Sequence, residues 1–396
     1  MTDSESKSKS LRIVIVGAGL AGLAAAVAFR KEGHDVQIFE SSSMNKEIGA
    51  AIAVTANSLR VLTYLGFDVK NLKATDYLGY TWFNSNGGEG NFDALEDPHD
   101  TFGRPGISCH RSDPHDELKR LATMEGGNGS PATIHLKSNV QSCDPTTGKL
   151  TLKNGEIHHA DLIVGADGIR STIRTSVLGY EQRALSSGRA AFRCLLEASK
   201  LEGRTEFNWL FSGKPGARET TPSSTSSPIV PTNGTRTSSI GTPWPPRRSW
   251  SLHSAIIPPP YKGLLELVDG PVHLWQIRAL PCLPTWIKGC AALIGDAAHA
   301  TFPTIGQGAG MAIEDAATVA CLLPLGSRIE EIPSRLEAYQ ALRKARGEFV
   351  LTESVEQVTV PLKRGLYSKS KEMQAFVLGH DAVGVAQEHL KTHFTS

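Results

Sequence analysis

The sequence predicts an α/β protein with an inserted antiparallel sheet, and a repeated local pattern carries most of that prediction. Three stretches, at residues 11–40, 161–174 and 291–323, each run from a short apolar segment through a turn of small residues into a helical pattern. Strands that are apolar at every position are covered on both faces, which is typical of parallel sheets flanked by helices. At residues 78–88, by contrast, a β-type run leads into an Asn- and Gly-rich turn, which predicts an antiparallel hairpin.

The first stretch has the order strand, glycine turn, helix, strand and acid. Residues 13–16 are the apolar strand, and the next strand ends at Glu40. Between them, Gly17 permits a tight turn, Gly19 lets a pyrophosphate approach the backbone, and Gly22 lets helix and strand pack closely. A helix N-terminus offers free N–H groups to phosphates, and a carboxylate at Glu40 can accept hydrogen bonds from a ribose diol. These residues predict a dinucleotide site for FAD or NAD(P); a glycine turn without a ligand is the alternative.

Bulk composition narrows the class of protein. The chain has 396 residues, enough for two domains, and its net charge of +1 gives no reason to expect a nucleic-acid partner. Its six cysteines form no CxxC pair and no zinc spacing, so we expect reduced thiols and no metal. The first ten residues are polar, and no run of about 18 apolar residues occurs, so neither a signal peptide nor a membrane span is expected. A cytoplasmic protein is therefore expected, and the oligomeric state stays open.

The remaining helices and strands follow from local signals. Residues 58–65 predict a short amphipathic helix stopped by a glycine, and residues 113–124 predict a helix that begins with Asp-Pro. Residues 133–137 are expected to form a small meander with two strands at residues 149–159, which turn at an Asn-Gly pair. Residues 333–357 predict a long polar helix.

Three motifs resemble those of the flavoprotein aromatic hydroxylases, the single-component FAD-dependent monooxygenases typified by salicylate and para-hydroxybenzoate hydroxylases. GAGLAGLAAA matches the first motif, GADGIRSTIR matches the DG motif, and GDAAHATFPTIGQGAGMAIEDA matches the GD motif. The likeness covers most of residues 11–213 and 264–346. One glycine fingerprint is common among proteins, but the three motifs in this order are highly specific. The resemblance implies a Rossmann-like FAD-binding domain of the glutathione reductase type, with an antiparallel substrate domain inserted into it.

The resemblance also implies domain boundaries. A discontinuous FAD-binding domain would comprise residues 1–185 and 286–360, with residues 76–108 contributing to the substrate domain. The substrate domain would comprise residues 186–285, and residues 361–396 would form a C-terminal helical tail.

Through the resemblance, the fingerprint is assigned to FAD. Because the chain has no second fingerprint with a trailing acid, NAD(P)H is expected to dock transiently as a co-substrate, with help from Asp167 of the DG motif. Asp296 of the GD motif is expected to accept a hydrogen bond from a ribityl hydroxyl; a helix N-cap is the alternative. Arg111 matches an arginine that contacts FAD, with a surface arginine as the alternative, and Ala53 matches a backbone contact to FAD.

Three small residues of the GD motif, Gly308, Ala309 and Gly310, precede a helix start. Their N–H groups and the helix dipole can stabilise negative charge on the flavin pyrimidine ring, and their size lets the ring lie against the backbone. A glycine hinge is the alternative. His299 and Pro303 are expected near the flavin, where a purely structural role for His299 fits equally well.

Arg193 is the candidate catalytic residue. It lies on a predicted strand that enters the substrate domain, and it matches an arginine that some fungal members of the family use near the flavin. An arginine can hold a phenolate or a carboxylate by charge-assisted hydrogen bonds. An exposed strand arginine is the alternative.

Residues 220–249 depart from the family pattern. Twenty of these thirty residues are Ser, Thr or Pro, so no alternating strand pattern is visible, and the substrate domain is expected to be disrupted at about residues 219–257. The prolines also argue against a central strand. One explanation is a shifted reading frame, since one codon choice for residues 247–258, read one base earlier, gives the helical pattern AEELVAAFRDYP. A linker or a phosphorylated insert is the other explanation.

Together these observations predict an FAD-dependent monooxygenase that uses NAD(P)H and O₂ to hydroxylate a phenolic or aromatic-acid substrate. The resemblance implies that a flavin C4a-hydroperoxide delivers the oxygen. The alternative is a flavin-binding protein that oxidises NAD(P)H without coupling to product, because its substrate domain is disrupted. An NAD-dependent dehydrogenase without a flavin fits less well, since the GD motif would then have no role.

Overall fold

Up to residue 293 the described chain consists of strands interspersed with helices, and among the described residues after that point only helices occur. The computed structural model describes residues 10–44, 51–77, 79–82, 91–94, 102–103, 106–127, 129–211, 223–226, 229–231, 259–268, 273–363 and 365–394. The strands are β1 (Arg12–Val16), β2 (Asp35–Phe39), β3 (Ala51–Val54), β4 (Thr75–Asp76), β5 (Gly79–Trp82), β6 (Asn91–Ala94), β7 (Ile107–His110), β8 (Thr133–His135), β9 (Val140–Asp144), β10 (Lys149–Leu152), β11 (Ile157–His159), β12 (Leu162–Gly165), β13 (Leu185–Glu197), β14 (Ser223–Ser226), β15 (Ile229–Pro231), β16 (His273–Ala279), β17 (Ile287–Lys288) and β18 (Ala291–Leu293). The α-helices are α1 (Leu20–Lys31), α2 (Ala56–Tyr64), α3 (Ser112–Thr123), α4 (Thr172–Leu178), α5 (Pro259–Glu266), α6 (Asp296–His299), α7 (Gly308–Cys321), α8 (Ile332–Thr359), α9 (Leu366–Lys369), α10 (Lys371–Leu378) and α11 (Ala382–Phe394).

A six-stranded sheet in the order β17-β18-β12-β1-β2-β8 forms the centre of the fold. β1 runs parallel to both of its neighbours, with Ile13 opposite Leu162 on one side and Val36 on the other. β18 is parallel to β12, and β8 is parallel to β2, whereas the edge strand β17 is antiparallel. The three repeated stretches of the sequence therefore supply three adjacent strands, whose carboxyl ends meet at one edge of the sheet. The predicted α/β class is confirmed.

Burial on both faces explains the composition of these strands. The four apolar residues of β1 are each at most 4% exposed, and every residue of β12 is buried. α1 and α7 pack against each other and share a hydrophobic core with these strands. Both helices are rich in alanine and glycine, whose small side chains let the two helix backbones come close.

The first strand of the predicted meander belongs to the central sheet instead. Thr133–His135 pairs in parallel with β2, with Ile38 opposite Ile134, and the meander is formed by β9, β10 and β11. Because α3 precedes β8, the chain crosses over the sheet before pairing, and a parallel register follows. The local sequence of residues 133–137 predicts a strand but does not reveal which neighbour it takes.

A second, antiparallel sheet is built on β13, a strand of 13 residues. β16 pairs with β13 from Leu185 opposite Ala279 to Arg193 opposite His273. Two smaller antiparallel groups, β3-β7-β4 and the hairpin β5-β6, come from the segment between β2 and α3. The hairpin agrees with the turn predicted at residues 84–88, although that turn itself lies outside the described residues.

Part of the Ser-, Thr- and Pro-rich tract forms strands, contrary to the sequence prediction. β14 and β15 both pair antiparallel with β13, Ser226 opposite Cys194 and Pro231 opposite Arg189. In the described pairing each contacts only β13, so both are edge strands, where the missing N–H of a proline is tolerated. The local composition does not predict β14 and β15, because their hydrogen bonds are made with the distant strand β13. The rest of the tract, and with it the predicted disruption and frame shift, lies outside the described residues.

The C-terminal third of the chain is mainly helical. α8 spans Ile332–Thr359, close to the predicted 333–357. Residues 366–394 contain three helices, and the last of them buries Ala382, Val383 and Ala386 in the main hydrophobic core. In the part of the chain that the structure describes, no helix is both long and apolar enough to cross a membrane.

A buried histidine, His34, joins the residue before β1 to the segment that follows α7. The Leu11 N–H donates to His34 Nδ1 over 3.2 Å, and His34 Nε2 lies 2.7 Å from the Leu323 carbonyl oxygen. Nδ1 therefore accepts and Nε2–H donates, which requires the neutral imidazole. Burial lowers the pKa of His34 below its ordinary value of 6.5, against the opposing effect of the Leu323 carbonyl.

We expect this histidine to make the stability of the protein depend on pH. The unfolded chain takes up the proton near pH 6.5 but the folded chain only at lower pH, so the stabilisation is present above about pH 6.5 and is lost as the pH falls below it. The effect of one such proton approaches about 1.4 kcal/mol per pH unit. Urea unfolding between pH 7.5 and 5 should therefore show a shallower loss of stability in His34→Asn than in the parent.

His159→Asn, at an exposed position on β11, is the matched control and should keep the slope of the parent. Equal slopes in the parent and in His34→Asn would contradict the assignment.

Candidate active site

The glycine turn after β1 is shaped by close packing on one side and open space on the other. Gly17 has a φ of +101°, and a Cβ there would lie 2.5 Å from the Ala166 carbonyl oxygen. A Cβ on Gly22 would lie 1.9 Å from the Gly17 carbonyl oxygen. At Gly19, in contrast, no described atom lies within 4 Å of where a Cβ would be. The backbone just before α1 is thus open to a ligand such as a pyrophosphate, and this open cradle fits a dinucleotide.

Glu40 lies directly beside this turn. Its Oε2 accepts from the Ala18 N–H over 2.8 Å, and its Oε1 accepts from the Ser42 N–H over 2.7 Å. Burial alone would raise the pKa of Glu40, but these hydrogen bonds hold it below its ordinary value. An ionised carboxylate has about four acceptor positions, so Glu40 can accept ribose hydroxyls in addition to these two contacts.

The DG turn, formed by Asp167 and Gly168, is held by side-chain hydrogen bonds. Asp167 accepts from the backbone N–H groups of Thr172 and Ile173 over 2.7 and 3.2 Å, and from the Ser171 hydroxyl. Its carboxylate therefore accepts hydrogen bonds from the first residues of α4. Burial raises the pKa of Asp167, and these hydrogen bonds oppose that rise. In the described structure Asp167 shapes the turn that packs on Gly17; its predicted part in NAD(P)H docking stays a prediction.

The GD turn, formed by Gly295 and Asp296, presents an exposed carboxylate that lies in the electrostatic field of Arg174. The N-cap of α6 is Gly295, so Asp296 is the first helical residue and not the cap. Asp296 is exposed, and its carboxylate accepts no hydrogen bond from the described part of the chain. Gly295 has a φ of +58°, and a Cβ there would lie 2.9 Å from the Ala312 Cβ and 3.1 Å from the Ala21 Cβ. The turn therefore packs tightly between α7 and α1 while Asp296 remains available to a ligand.

Residues 307–310, which we call the flavin loop, comprise Gln307, the N-cap of α7, and the first three residues of this 14-residue helix. Gly308, Ala309 and Gly310 therefore form the first turn of α7 and do not precede the helix, contrary to the sequence prediction. A Cβ on Gly310 would lie 2.8 Å from the Ser58 hydroxyl oxygen, so this glycine is required for contact with α2. Ala309 and Ala53 line one small pocket together with Leu20, the first residue of α1. The rest of its lining is apolar except for one serine: Ile52, Val54, Ser58, Leu62, Pro114, Leu118 and Ile313.

The structure thus brings most of the predicted cofactor residues to one edge of the central sheet. The glycine turn, Glu40 and the DG turn adjoin directly, and Ala53 and Ala309 share a pocket with the start of α1. Arg111 is half-buried between β7 and α3. The backbone of Arg193 lies on β13, but its side chain lies outside the described residues, so its predicted catalytic role stays a prediction.

Two sets of residues behind the site are not apparent from the sequence. Arg174 donates to the carbonyl oxygens of Ile169 and Ala297 over 2.7 and 3.1 Å, which ties the DG turn to the helix after the GD turn. A buried polar network behind the flavin loop joins α2, α7 and α8: Asn57, Gln307, Glu314, Asp315, Arg343 and Arg346. An acidic pair within an otherwise small and apolar helix is the one signal that points to this network.

An open glycine cradle, an acid with a lowered pKa beside it and an exposed carboxylate at the adjacent GD turn together fit the dinucleotide site of a flavoprotein. Residues 10–354 match the FAD binding domain family, and the chain belongs to this family, as an FAD-dependent monooxygenase that binds FAD.

Individual relatives agree with this assignment. The chain is 40% identical to hispidin-3-hydroxylase of Neonothopanus nambi, over 97% of each chain. It is 30% identical to salicylate hydroxylase of Pseudomonas putida, over 90% of this chain and 86% of that one. The crystal structure of CtdE with FAD and a substrate superposes with a TM-score of 0.80, at 22% identity over 97% of this chain and 98% of the other, which shows the shared fold.

Replacing Asp296 with alanine should weaken FAD binding. A hydrogen bond to a charged acceptor contributes roughly 1.5–3 kcal/mol, which corresponds to about a ten- to hundredfold rise in the dissociation constant. Flavin fluorescence titration of the apoprotein measures it. Glu337→Ala, at an exposed acid on α8, is the matched control and should leave the affinity unchanged; an unchanged affinity in Asp296→Ala would remove that residue from the site.

Glu40→Ala should also lower the FAD affinity, because the adenosine ribose loses its acceptor and the turn at Ala18 loses a hydrogen bond. The rate of reduction of the flavin that remains bound should not change, since the adenosine end is remote from the reactive ring. Fluorescence titration and stopped-flow reduction separate the two quantities. If Glu40→Ala kept its FAD affinity but its flavin could no longer be reduced, the adenosine ribose would not lie at Glu40.

Proposed function

We propose that this monooxygenase uses NAD(P)H and O₂ to hydroxylate a phenolic or aromatic-acid substrate. The observation that carries the proposal is the contact between the antiparallel sheet built on β13 and the GD motif, residues 295–316, which we also call the GD segment. Ala191 of β13 and Ile277 of β16 form one apolar cluster with Phe302, which lies between the GD turn and the flavin loop. A small aromatic molecule held by this sheet would therefore lie beside the flavin.

The FAD would be held along its whole length by residues at the sheet edge. The open backbone at Gly19 and the N-terminus of α1 suit the pyrophosphate, Glu40 suits the adenosine ribose, and Asp296 suits a ribityl hydroxyl. The flavin loop and the N-terminus of the 14-residue α7 offer N–H groups and a positive dipole end, which favour negative charge on the pyrimidine end of the ring. Bound FAD, reduced by NAD(P)H, supplies the oxygen-activating centre.

The protein's own contribution is positioning and the exclusion of water. The apolar cluster of Ala191, Ile277 and Phe302 continues into Val358 of α8, so apolar side chains join the sheet to the GD motif. An apolar boundary of this kind would limit side reactions of the cofactor with water. Arg193, which β13 carries two residues beyond Ala191, is proposed to hold the anionic oxygen of the substrate.

NAD(P)H is proposed to dock transiently. The chain carries one glycine fingerprint, and the features described above commit it to FAD. The DG turn lies against this fingerprint through the contact between Gly17 and Ala166, so a dinucleotide docking near Asp167 would approach the same edge of the sheet.

Two named substrates of relatives serve as the first probes. The FAD-loaded protein is mixed with NADH or NADPH, with and without hispidin or salicylate, and cofactor oxidation, hydroxylated product and hydrogen peroxide are quantified. Product formed in proportion to NAD(P)H consumed supports the proposal. If NAD(P)H is oxidised to give peroxide and no phenolic or aromatic acid changes the rate, the proposal is wrong. The protein would then be an uncoupled NAD(P)H oxidase.

Arg193→Ala should keep FAD and lose hydroxylation by roughly ten- to a hundredfold, because a charge-assisted hydrogen bond to the substrate is removed. Arg189→Ala, on the same strand, is the matched control and should retain activity. FAD content by absorbance and product by chromatography are measured on both. Loss of FAD in Arg193→Ala alone would assign this residue to the cofactor instead.

A further inference from the structure

Two adjacent carboxylates lie fully buried in the middle of α7. Glu314 and Asp315 are both 0% exposed, within a helix that is otherwise composed mainly of small and apolar residues. Consecutive residues of an α-helix point about 100° apart, so the two side chains reach different parts of the molecule. Each of them contacts a different segment of the FAD site.

Asp315 holds the GD turn from both sides of Asp296. Its Oδ2 accepts from the Gly295 N–H over 3.0 Å and lies 2.6 Å from Nε2 of His299. Gly295 and His299 are the residues just before and at the end of α6, which begins at Asp296. The carboxylate of Asp296 accepts no hydrogen bond from the described part of the chain, so its position is set through the backbone by these two contacts to Asp315, together with the hydrogen bond from Arg174 to the Ala297 carbonyl oxygen.

Glu314 holds the flavin loop and the end of β3. Its Oε1 accepts from Nδ2 of Asn57 over 2.6 Å, and the same amide donates to Oε1 of Gln307 over 3.2 Å. Gln307 in turn donates to the Thr55 hydroxyl over 3.1 Å. Gln307 directly precedes Gly308, and Thr55 directly follows β3, which carries Ala53. Gln307 and Thr55 therefore join these two segments directly, and Asn57 ties both of them to the carboxylate of Glu314.

Two arginines of α8 neutralise the carboxylate pair. Arg346 donates to both oxygens of Glu314 over 2.7 and 2.8 Å. Arg343 donates from Nε to Asp315 over 2.9 Å and pairs with Glu314 at 2.6 Å. Both guanidinium groups are buried, so two positive and two negative charges balance within the core. Burial opposes the ionisation of Asp315, yet its interactions with His299 and Arg343 hold its pKa at about 2.

We propose that Asp315 and Glu314 are positioning residues for the cofactor: Asp315 acts through Asp296, and Glu314 acts through the flavin loop. The inference rests on the FAD site of the proposed function but not on the hydroxylation step, because every measurement below uses FAD alone. A protein that hydroxylates neither probe therefore leaves the inference testable.

A double-mutant cycle on FAD affinity tests the role of Asp315. Asp315→Asn keeps the shape of the side chain, but its amide group cannot accept from both Gly295 and His299 while it also accepts from Arg343. We expect the FAD dissociation constant to rise about tenfold in the parent background, and less than about twofold in the Asp296→Ala background, since coupled residues are non-additive. If Asp315→Asn changed the FAD dissociation constant by the same factor in both backgrounds, Asp315 would have only a general structural role and the proposal would be wrong.

Glu314→Gln gives the complementary result. It should change the FAD dissociation constant by the same factor with and without Asp296, and it should shift the visible absorbance of the bound flavin, because the flavin loop moves. The separate assignment of Glu314 would be contradicted if the effect of Glu314→Gln on FAD affinity disappeared in the Asp296→Ala background, as that of Asp315→Asn should. An unchanged flavin spectrum in Glu314→Gln would contradict it as well. Glu353→Gln is the matched control. Glu353 lies further along α8 and forms an ion pair with Lys363, so its replacement should change neither the FAD dissociation constant nor the flavin spectrum.

A second pair of variants guards against failure of Asp315→Asn to fold. His299→Gln retains a side-chain N–H near the position of Nε2, whereas His299→Phe removes it. FAD should bind more tightly to His299→Gln than to His299→Phe, and the difference should disappear in the Asp296→Ala background. Identical affinities of the two His299 variants in the parent background would overturn the role of this contact.

Discussion

The close contact between Gly17 and the Ala166 carbonyl determines how the cofactor edge of the central sheet is built. A side chain at position 17 would collide with that oxygen, so glycine is required for the first two βα turns to meet. Hydrogen bonds continue across the same edge: Ala166 N–H donates to Val16, Gly17 N–H donates to Phe39, and Ile294 N–H donates to Gly165. Four parallel strands therefore end in register, and the groups that follow them converge on one ligand.

The features that sequence reasoning predicts well are those set by neighbours along the chain. The glycine turn, the helix after it and Glu40 occupy one continuous stretch, and each has a reason that depends on a few adjacent residues. The network behind the flavin loop is different, because Asn57 and Glu314 are 257 positions apart, and their contact leaves no periodic signal. The strands Ser223–Ser226 and Ile229–Pro231 are not predictable from local composition for the same reason, since β13 stabilises them.

α8 shows why a polar composition does not mean a solvated helix. Its sequence alternates charged and apolar residues with little segregation, yet Arg335, Arg343 and Arg346 are all buried. Each of them finds carboxylates or backbone carbonyl oxygens inside the protein, which makes burial of a guanidinium tolerable. The helix thus joins the core through hydrogen bonds as well as through apolar contact. Its far end reaches the antiparallel sheet at Val358, so one rigid element touches both the cofactor side and the sheet proposed to hold substrate.

The packing of α7 onto the first βα unit has a consequence for synthesis of the chain. α1 emerges early from the ribosome, but the residues that cover it in the finished protein, on α7, are made near the end of translation. Until then α1 can pack on α3 but its other face lacks α7, and native contacts of such large sequence separation form slowly. Chains that are truncated within α7 should therefore leave one face of α1 uncovered and form a compact FAD site poorly.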